Sequence, residues 1–209
     1  QRDSVYFVIR AWGPPHRSAL VLHGNLPRNT STLDFLDDVF AVPYSGKPVL
    51  MTLIDSGWDE EVVYDHCIPR RNCLPSKGVP EDRPDLVKAT ELTRERGHYY
   101  GRRFALWNVN SHRLRERIHG CIGYPADHPR AWRLHAGIMD DHEYQRHILA
   151  KARQEKRVRG RTVYEWVDVR KDDHYLDAEI YAMAAALLPQ VSPLIVARRR
   201  PPAQSEPVS

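Results

Sequence analysis

The sequence lacks several features that would place the protein in other classes. No hydrophobic run approaches the roughly 18 residues that a membrane-spanning helix needs. The opening segment has no basic stretch followed by an apolar block, so we expect no signal peptide and a location in the cytoplasm. Only three cysteines occur, Cys67, Cys73 and Cys121, and they form no CxxC motif. We therefore expect reduced thiols, with zinc binding by Cys67, Cys73 and His66 as the alternative.

Motifs for nucleotide binding and for repeats are also missing. No GxxxxGK[ST] loop, whose backbone would hold the phosphates of ATP, occurs in the sequence. No internal repeat is visible either. The 209 residues, of which 42% are apolar, instead suit one substantial domain with a hydrophobic core. We predict a domain over residues 1–188 and a flexible, basic and proline-rich tail over residues 189–209.

Positive charge is concentrated in one segment. The formal charge of +4 and the isoelectric point near 9.0 are mild, but residues 146–161 hold seven basic residues against one acid. This density favours contact with phosphate groups, whereas a solvated helix face and loop would explain it as well. The candidates for nucleic-acid contact are four residues of this segment and two arginines that follow an apolar segment: Lys156, Arg157, Arg159, Arg161, Arg70 and Arg71.

Hydrophobic periodicity predicts alternating strands and helices. Two β-like runs, SVYFVIRAWG and SALVLHGNL, flank the turn GPPHR and predict a hairpin. The continuous apolar run PVLMTLIDSGW is typical of a central strand buried on both faces. The other predicted strands are IPRRN, RRFALWNVN and TVYEWVDV. The predicted helices are LDFLDDVFAVPY capped by Ser31 or Thr32, DEEVVYDHCI, SHRLRERIHGCI capped by Ser111, EYQRHILAKARQ, and residues 174–188 as the last helix.

Carboxylates stand at two informative places in this pattern. Asp55 ends the continuous apolar strand, and Asp177 and Glu179 lie in the first turns of the apolar last helix. First-turn acids can simply favour the positive end of the helix dipole. In an RNase H-like nuclease, whose element order this chain follows, acids from a strand end and a late helix meet at one sheet edge. Two carboxylates about 4 Å apart repel by roughly 4 kcal/mol at an effective dielectric constant of about 20, so a cluster there implies Mg²⁺ or Mn²⁺.

The expected fold is therefore α/β, with an RNase H-like mixed sheet flanked by helices. The sequence also resembles the lambda-type large terminase subunits of tailed phages, in their C-terminal nuclease domain. Four segments carry the resemblance, and the last is the most specific because of its Leu-Asp-x-x-x-Tyr-Ala-x-Ala pattern. They are AWGPPHRSALVLHG, LIDSGWDEEVVYDHC, WNVNSHRLRERI and YEWVDVRKDDHYLDAEIYAMAAA.

The resemblance implies a metal-dependent endonuclease that cuts concatemeric double-stranded DNA during genome packaging. Asp55 would be the strand-end metal ligand and Asp177 the helix-borne one, whereas Glu179 points roughly the opposite way and is interpreted as structural, as is Tyr181 in the core. The implied chemistry is two-metal phosphodiester hydrolysis with Mg²⁺ or Mn²⁺ that leaves a 5′ phosphate. The implied partners are the terminase small subunit and the portal protein in the host cytoplasm, and ATP would serve an upstream domain.

The sequence departs from the family pattern at several positions. The family has an acid in an Asp-x-Gln pattern on its first strand, and this chain begins at Gln1, so we expect a fragment that lacks the start of that strand and the ATPase domain. Asp3 is a possible substitute for that acid. Asn110 stands where many relatives have Asp, and Asn72 where they have Gly. Two alternatives stay open: a DNA-binding or portal-docking module without cleavage, and another RNase H-like enzyme such as a junction resolvase or RNA–DNA hybrid nuclease.

Overall fold

The computed structural model describes residues 4–14, 16–29, 31–79 and 83–196. Its architecture is mixed α/β, with mixed sheets flanked by helices, consistent with an RNase H-like fold. The strands are β1 (Ser4–Gly13), β2 (Arg17–Pro27), β3 (Thr52–Asp55), β4 (Cys73–Val79), β5 (Val87–Thr93), β6 (Arg103–Asn110), β7 (Trp132–Arg133), β8 (Lys151–Val158) and β9 (Arg161–Asp168). The helices are α1 (Thr32–Ala41), α2 (Glu60–Cys67), α3 (Ser111–Ile122), α4 (His142–Ile148), α5 (His174–Leu187) and α6 (Ser192–Val196), with a 3-10 turn at Ala136–Asp140.

The predicted hairpin forms one edge of the molecule. β1 and β2 pair antiparallel along almost their whole length, with an irregularity between Ile9 and Arg10, and β7 adds to β2 in parallel. A second sheet has the order β3, β4, β6, β5, in which the first three strands are parallel and β5 is antiparallel. The prediction of a central strand ending at Asp55 is wrong in this respect, because β3 lies at the edge of its sheet. Its outer edge faces β1 across a cavity instead of pairing with a strand.

Side chains on β1 and β3 alternate between two helical layers. Val5 and Phe7 pack with α1 and α2, whereas Tyr6 and Val8 pack with the cluster formed by α3, α4 and α5. On β3, Ile54 joins the first cluster and its neighbour Leu53 the second. Because successive residues of a strand point to opposite faces, both strands lie in one layer between two layers of helices.

The basic segment forms a hairpin and not the predicted helix over residues 143–154. Helix α4 ends at Ile148, and β8 pairs with β9 from Lys151 opposite Asp168 to Val158 opposite Arg161. The two turn residues, Arg159 and Gly160, both have positive φ angles, of 49° and 77°. A two-residue turn of this kind matches the twist of antiparallel strands, and glycine adopts such angles at little cost.

Two further local predictions are wrong. The segment IPRRN is a turn, since the backbone N–H of Arg70 donates to the carbonyl of Cys67 and β4 begins only at Cys73. Helix α3 is capped by Asn110 and not by Ser111: the Asn110 side-chain oxygen accepts the backbone N–H of Arg113.

Helix α5 is also not the last helix. Val191 and Ile195 pack with Ala186 and Leu188, so α6 lies against the body of the domain. The tail residues Arg198, Arg199, Arg200, Pro201 and Pro202 lie outside the described residues, as do Gln1 and Asp3. In the part of the chain that the structure describes, no helix is both long enough and apolar enough to cross a membrane.

Candidate functional site

Asp55 and Asp177 line the same cavity. Asp55 is the last residue of β3, and Asp177 lies in the first turn of α5, which packs across β3 and β1. The cavity between β1 and β3 has a volume of about 1060 Å³, and both carboxylates border it together with Tyr181. Elements 122 residues apart in sequence thus bring two acids to one end of the cavity.

The environment of Asp177 opposes its ionisation. Burial raises the pKa of Asp177 to about 7, and the negative charges of Asp173 and Asp55 contribute to the same direction. The positive charges of Arg115 and Lys151 act against this rise. Asp173 directly precedes α5 and is ion-paired with Lys151 at 2.9 Å. Sequence reasoning missed Asp173, because a carboxylate before a helix is common as a capping residue.

Asp55 is held by two neighbouring groups. Its carboxylate accepts the backbone N–H of Gly57 at 3.1 Å, and it accepts the hydroxyl of Tyr181. The backbone N–H of Gly78 donates to the same hydroxyl. Burial, followed by the charge of Asp55, raises the pKa of Tyr181. Tyr181, which the sequence placed in the core, therefore stays protonated and orients Asp55.

Gly78 allows this close arrangement of β4, α3 and α5. A Cβ atom there would lie 3.1 Å from the Ser111 hydroxyl oxygen and 3.6 Å from the Tyr181 hydroxyl oxygen. On the same strand, Lys77 donates to Glu60 at 2.6 Å, and this hydrogen bond is the main cause that raises the pKa of Lys77. Asp55 contributes to the rise, so Lys77 keeps a positive charge beside the acids. The sequence gives no signal for this role of Lys77, because Lys77 and Gly78 stand in a polar stretch without a recognisable motif.

Glu179 has a structural role, as predicted. Its carboxylate is fully buried and accepts two hydrogen bonds from the Arg10 guanidinium, at 2.7 and 2.8 Å. The hydroxyl of Tyr144 donates a third at 2.7 Å. The Arg10 guanidinium also lies 3.5 Å from the ring centroid of Trp132. Glu179 thus fixes α5 to β1 and α4 on the side away from the cavity.

A second group of possible metal ligands lies at the C-terminal end of α2. Oxygen or nitrogen atoms of Asp34, Asp37 and His66 lie within 4.8 Å of one another. The buried Nε2 of His66 is 3.2 Å from Asp37, but Arg70 donates two hydrogen bonds to the other oxygen of Asp37. The guanidinium charge of Arg70 would compete with a cation at this group.

The cysteines are free thiols in the structure. Cys67 and Cys73 have sulfur atoms 3.6 Å apart, and their hydrogen bond raises the pKa of Cys67 and lowers that of Cys73 to about 6. His66 also bonds to Cys73. Among the described residues, Cys67, Cys73 and His66 do not form a group of three ligand atoms within 4.8 Å of one another, and His66 also faces Asp37, so the structure does not support the zinc alternative.

The basic candidates differ in how exposed their charges are. Arg70 is partly buried and bound to Asp37 and to the His66 carbonyl, whereas Arg71 is exposed. The four hairpin candidates all lie at the exposed tip of β8 and β9, where Lys156 pairs with Glu165. They are Lys156, Arg157, Arg159 and Arg161.

Asn110 and Asn72, where the sequence analysis expects departures from the family pattern, both make hydrogen bonds within the fold. Asn110 is buried, and its side-chain N–H₂ donates to the carbonyl of Arg83 while its oxygen caps α3. An ionised Asp could not make the donated bond, which explains the amide at this position. Asn72 is exposed, and its carbonyl accepts the N–H of Thr52.

The fold thus brings carboxylates from a strand end and from a helix start to one cavity, as the RNase H-like nuclease expectation requires. Residues 1–198 match the model of a family described as terminase large subunit gpA, endonuclease domain, and the chain belongs to that family. Searches of curated proteins and of solved structures find no significant match. The predicted membership is confirmed, and the family supports a nuclease role on DNA during phage genome packaging.

Proposed function

We propose that this domain is a divalent-metal-dependent endonuclease that cuts concatemeric double-stranded DNA during packaging. Asp55 and Asp177 hold the metal, which is Mg²⁺ or Mn²⁺. The observation that carries the proposal is the position of both carboxylates at one end of the same cavity, where burial, and to a smaller extent the charges of Asp173 and Asp55, raise the pKa of Asp177 to about 7. Membership of the terminase endonuclease family supports the same assignment.

The donor set fits a hard divalent cation. Carboxylate oxygens are the ligands that Mg²⁺ and Mn²⁺ prefer, and a cation would offset the repulsion by Asp173 and Asp55 that contributes to the raised pKa of Asp177. When bound, such ions activate water and stabilise the leaving 3′ oxygen, so that the product carries a 5′ phosphate.

The chain's own residues prepare this site. Tyr181 and the Gly57 N–H hold Asp55 in place, and the buried Arg10–Glu179 pair fixes the helix that carries Asp177. Lys77, which stays charged beside Asp55, is positioned to attract a DNA phosphate. A preorganised site of this kind does not need to reorganise during the reaction.

The β8–β9 hairpin is the proposed DNA contact. Lys156, Arg157, Arg159 and Arg161 extend into solvent on a two-stranded ribbon. Contacts of such residues with phosphates give affinity without reading the base sequence. In the intact packaging machine we expect an ATPase domain, a small subunit and a portal as partners within the host cell.

Plasmid nicking tests the metal-site assignment. Supercoiled plasmid is incubated with the protein in Mn²⁺, and the rate of nicking is compared for the wild type, Asp55→Asn, Asp177→Asn and Asp37→Asn. Because each Asn variant loses one charged ligand, the first two should lose at least about 100-fold in rate while still binding plasmid. Asp37→Asn should keep its rate. A loss of nicking rate in Asp37→Asn alone would instead assign the metal to the Asp34, Asp37 and His66 group.

Asp3 is tested in the same assay. We expect Asp3→Asn to matter little, and a rate as low as that of Asp55→Asn would make Asp3 a ligand. The alternative of a DNA-binding or portal-docking module is favoured by the exposed basic hairpin, which needs no metal site. A wild-type protein that binds plasmid and never nicks it in Mn²⁺ would support that module. Preference for four-way junctions over linear duplex would instead indicate a junction resolvase.

A further inference from the structure

Another, smaller pocket lies along one face of helix α3. It has a volume of about 300 Å³ and is lined by Arg113, Glu116, Arg117, Gly120, Tyr124 and Arg130. Residues four apart on a helix are neighbours on its surface, so Arg113 and Arg117 share one wall. Tyr124 and Arg130 come from the loop that leads from α3 to β7. None of these residues borders the cavity of the acids or belongs to the β8–β9 hairpin.

The pocket carries a surplus of positive charge. Three guanidinium groups line it, and none of them forms an ion pair with a carboxylate of the described residues. Glu116 is the one acid among the described residues of its wall, and it lies 3.8 Å from His112. Partial burial, followed by the positive charges of Arg113 and Arg130, lowers the pKa of Arg117. Three like charges against one acid leave a net charge of +2, which favours a bound anion.

Neutral partners hold two of these guanidinium groups in place. Arg113 donates to the carbonyl of Pro84. Arg130 donates to the sulfur of Cys121, a thiol that stays neutral because burial raises its pKa. The backbone N–H of Arg130 also donates to Nδ1 of His128 at 3.1 Å. Because a guanidinium group has five N–H donors, these contacts fix the two side chains and still leave donors for an anion.

Gly120 keeps the pocket open. A Cβ atom added at this position would meet no other atom within 4 Å, so close packing does not require a glycine here. A glycine within a helix is also destabilising relative to alanine or leucine. The structural effect of Gly120 is therefore the space that its missing side chain leaves beside Arg117 in the pocket.

Helix α3 connects this pocket to the acid site. Ser111, the first residue of α3, lies beside Gly78 and the Tyr181 hydroxyl that holds Asp55. At a rise of about 1.5 Å for each residue, Arg117 lies about 9 Å along the helix from Ser111, and the far end of the pocket about 13.5 Å. One DNA strand rises about 3.4 Å for each nucleotide, so this span corresponds to about three or four nucleotides. The pocket is therefore within reach of the end of a strand that is cut at the acids.

We propose that this pocket binds a phosphate monoester, and that the 5′ phosphate of a DNA end supplies it. A monoester carries about 1.5–2 negative charges near neutral pH, which matches the net charge of the pocket, whereas a phosphate within the DNA backbone carries one. Guanidinium groups bind phosphate oxygens through paired, charge-assisted hydrogen bonds. The choice of a DNA end as the source rests on the proposed function, in which cleavage leaves a 5′ phosphate. The anion site itself does not depend on it.

Binding to matched DNA ends tests the proposal. Three short duplexes of one sequence are compared by fluorescence anisotropy with the whole chain, one with a 5′ phosphate, one with a 3′ phosphate and one with hydroxyl groups only. The measurements are made in EDTA at one ionic strength, so that no metal-dependent cleavage occurs. The 5′-phosphorylated duplex should bind at least about tenfold more tightly than the other two, because charge-assisted hydrogen bonds to the terminal phosphate are added. Inorganic phosphate should reduce this preference.

Two variants of the pocket and one control locate the preference. Arg117→Gln and Gly120→Leu should each bring the three duplexes to nearly equal affinity. Gly120→Leu should not lower Tm, since leucine favours a helix and its Cβ meets no neighbouring atom. The control Arg96→Gln removes an exposed positive charge from the loop between β5 and β6. It should weaken binding of the three duplexes equally, if at all, and keep the preference for the 5′ phosphate.

Three results would overturn the proposal. One is equal affinity of the wild type for the 5′-phosphorylated and the hydroxyl duplex. Another is a preference that persists in both Arg117→Gln and Gly120→Leu, since the phosphate would then bind elsewhere. The third is an equal preference for a 3′ phosphate, which would show that the pocket does not select 5′ ends. Failure of plasmid nicking in Mn²⁺ would count against the proposed function and leaves these affinity ratios, measured in EDTA, unaffected.

Discussion

Replacing Asp177 by asparagine should stabilise the metal-free protein at alkaline pH. The carboxyl has a pKa of about 7 in the folded chain against 3.8 as a reference, so the folded state holds its proton more tightly than the unfolded state does. Stability that depends on this proton is fully present below about pH 4 and is lost as the pH rises through about 7. At about 1.4 kcal/mol for each pKa unit, the loss is at most about 4 kcal/mol. Asparagine has the same shape and does not titrate.

The measurement is the free energy of unfolding in urea, at several pH values and in EDTA. The advantage of Asp177→Asn over the wild type should grow by about 4 kcal/mol between pH 4 and pH 8.5, which corresponds to roughly 8–16 °C in Tm for a domain of this size. A matched Asp→Asn change at the exposed Asp38 should show no such growth. An advantage of Asp177→Asn that is constant with pH would refute the assigned environment of this carboxyl.

Divalent metal should reduce this advantage of Asp177→Asn. A cation that binds only the folded wild type stabilises it by mass action, so Mn²⁺ at 100 times its Kd adds about 2.7 kcal/mol to the wild type at pH 8.5. Asp177→Asn should gain little. Equal gains for both proteins would show that the ion binds elsewhere, and the group around His66 would be the first place to look.

Three further comparisons test the residues around the acids and the basic hairpin. Glu179→Gln should lower the free energy of unfolding in urea by about 3–5 kcal/mol, because it leaves the buried Arg10 without its charged partner. The control Glu165→Gln, in an exposed ion pair, should lower it by less than about 1 kcal/mol. Similar losses in the two variants would contradict the burial of the Arg10 pair. Gly78→Ala should lower Tm and slow nicking, since the new methyl group meets the Ser111 hydroxyl at 3.1 Å, whereas Gly13→Ala has nothing within 4 Å and should be neutral. Replacing Arg157 and Arg161 by glutamine should reduce the slope of log affinity against log salt for duplex DNA by about 0.9 for each lost phosphate contact. An unchanged slope would remove the hairpin from the interface.

The sequence predicted most elements whose pattern is set locally. The β1–β2 hairpin, α2, β6 and α5 have clear periodicity or turn residues, and all four occur. The prediction that the helix continues after residue 148 is wrong because Lys, Arg, Gln and Glu, which are good helix formers, occupy a strand there. Its strand conformation comes from pairing with β9, a partner that no local pattern in residues 151–158 reveals.

The strand that ends in Asp55 shows what a local pattern does predict. Its apolar run correctly indicates a segment with helices on both faces, as Leu53 and Ile54 demonstrate by packing with different clusters. What the run cannot indicate is whether a strand lies on each side of it. Burial on two faces is a property of side chains, whereas a paired edge is a property of the backbone. The apolar run therefore predicts the two helical layers around β3 and not its position at the edge of its sheet.

The geometry of helix α5 explains why its first turns carry two acids in an otherwise apolar sequence. Each residue turns about 100° around a helix axis, so positions 177 and 179 point in nearly opposite directions. Glu179 turns into the core, where Arg10 and Tyr144 satisfy its charge. Asp177 borders the cavity, where burial, followed by the negative charges of Asp173 and Asp55, raises its pKa to about 7. Glu179 is paired within the fold, whereas Asp177 borders the cavity with a raised pKa, and this difference is why we propose Asp177 and not Glu179 as a metal ligand.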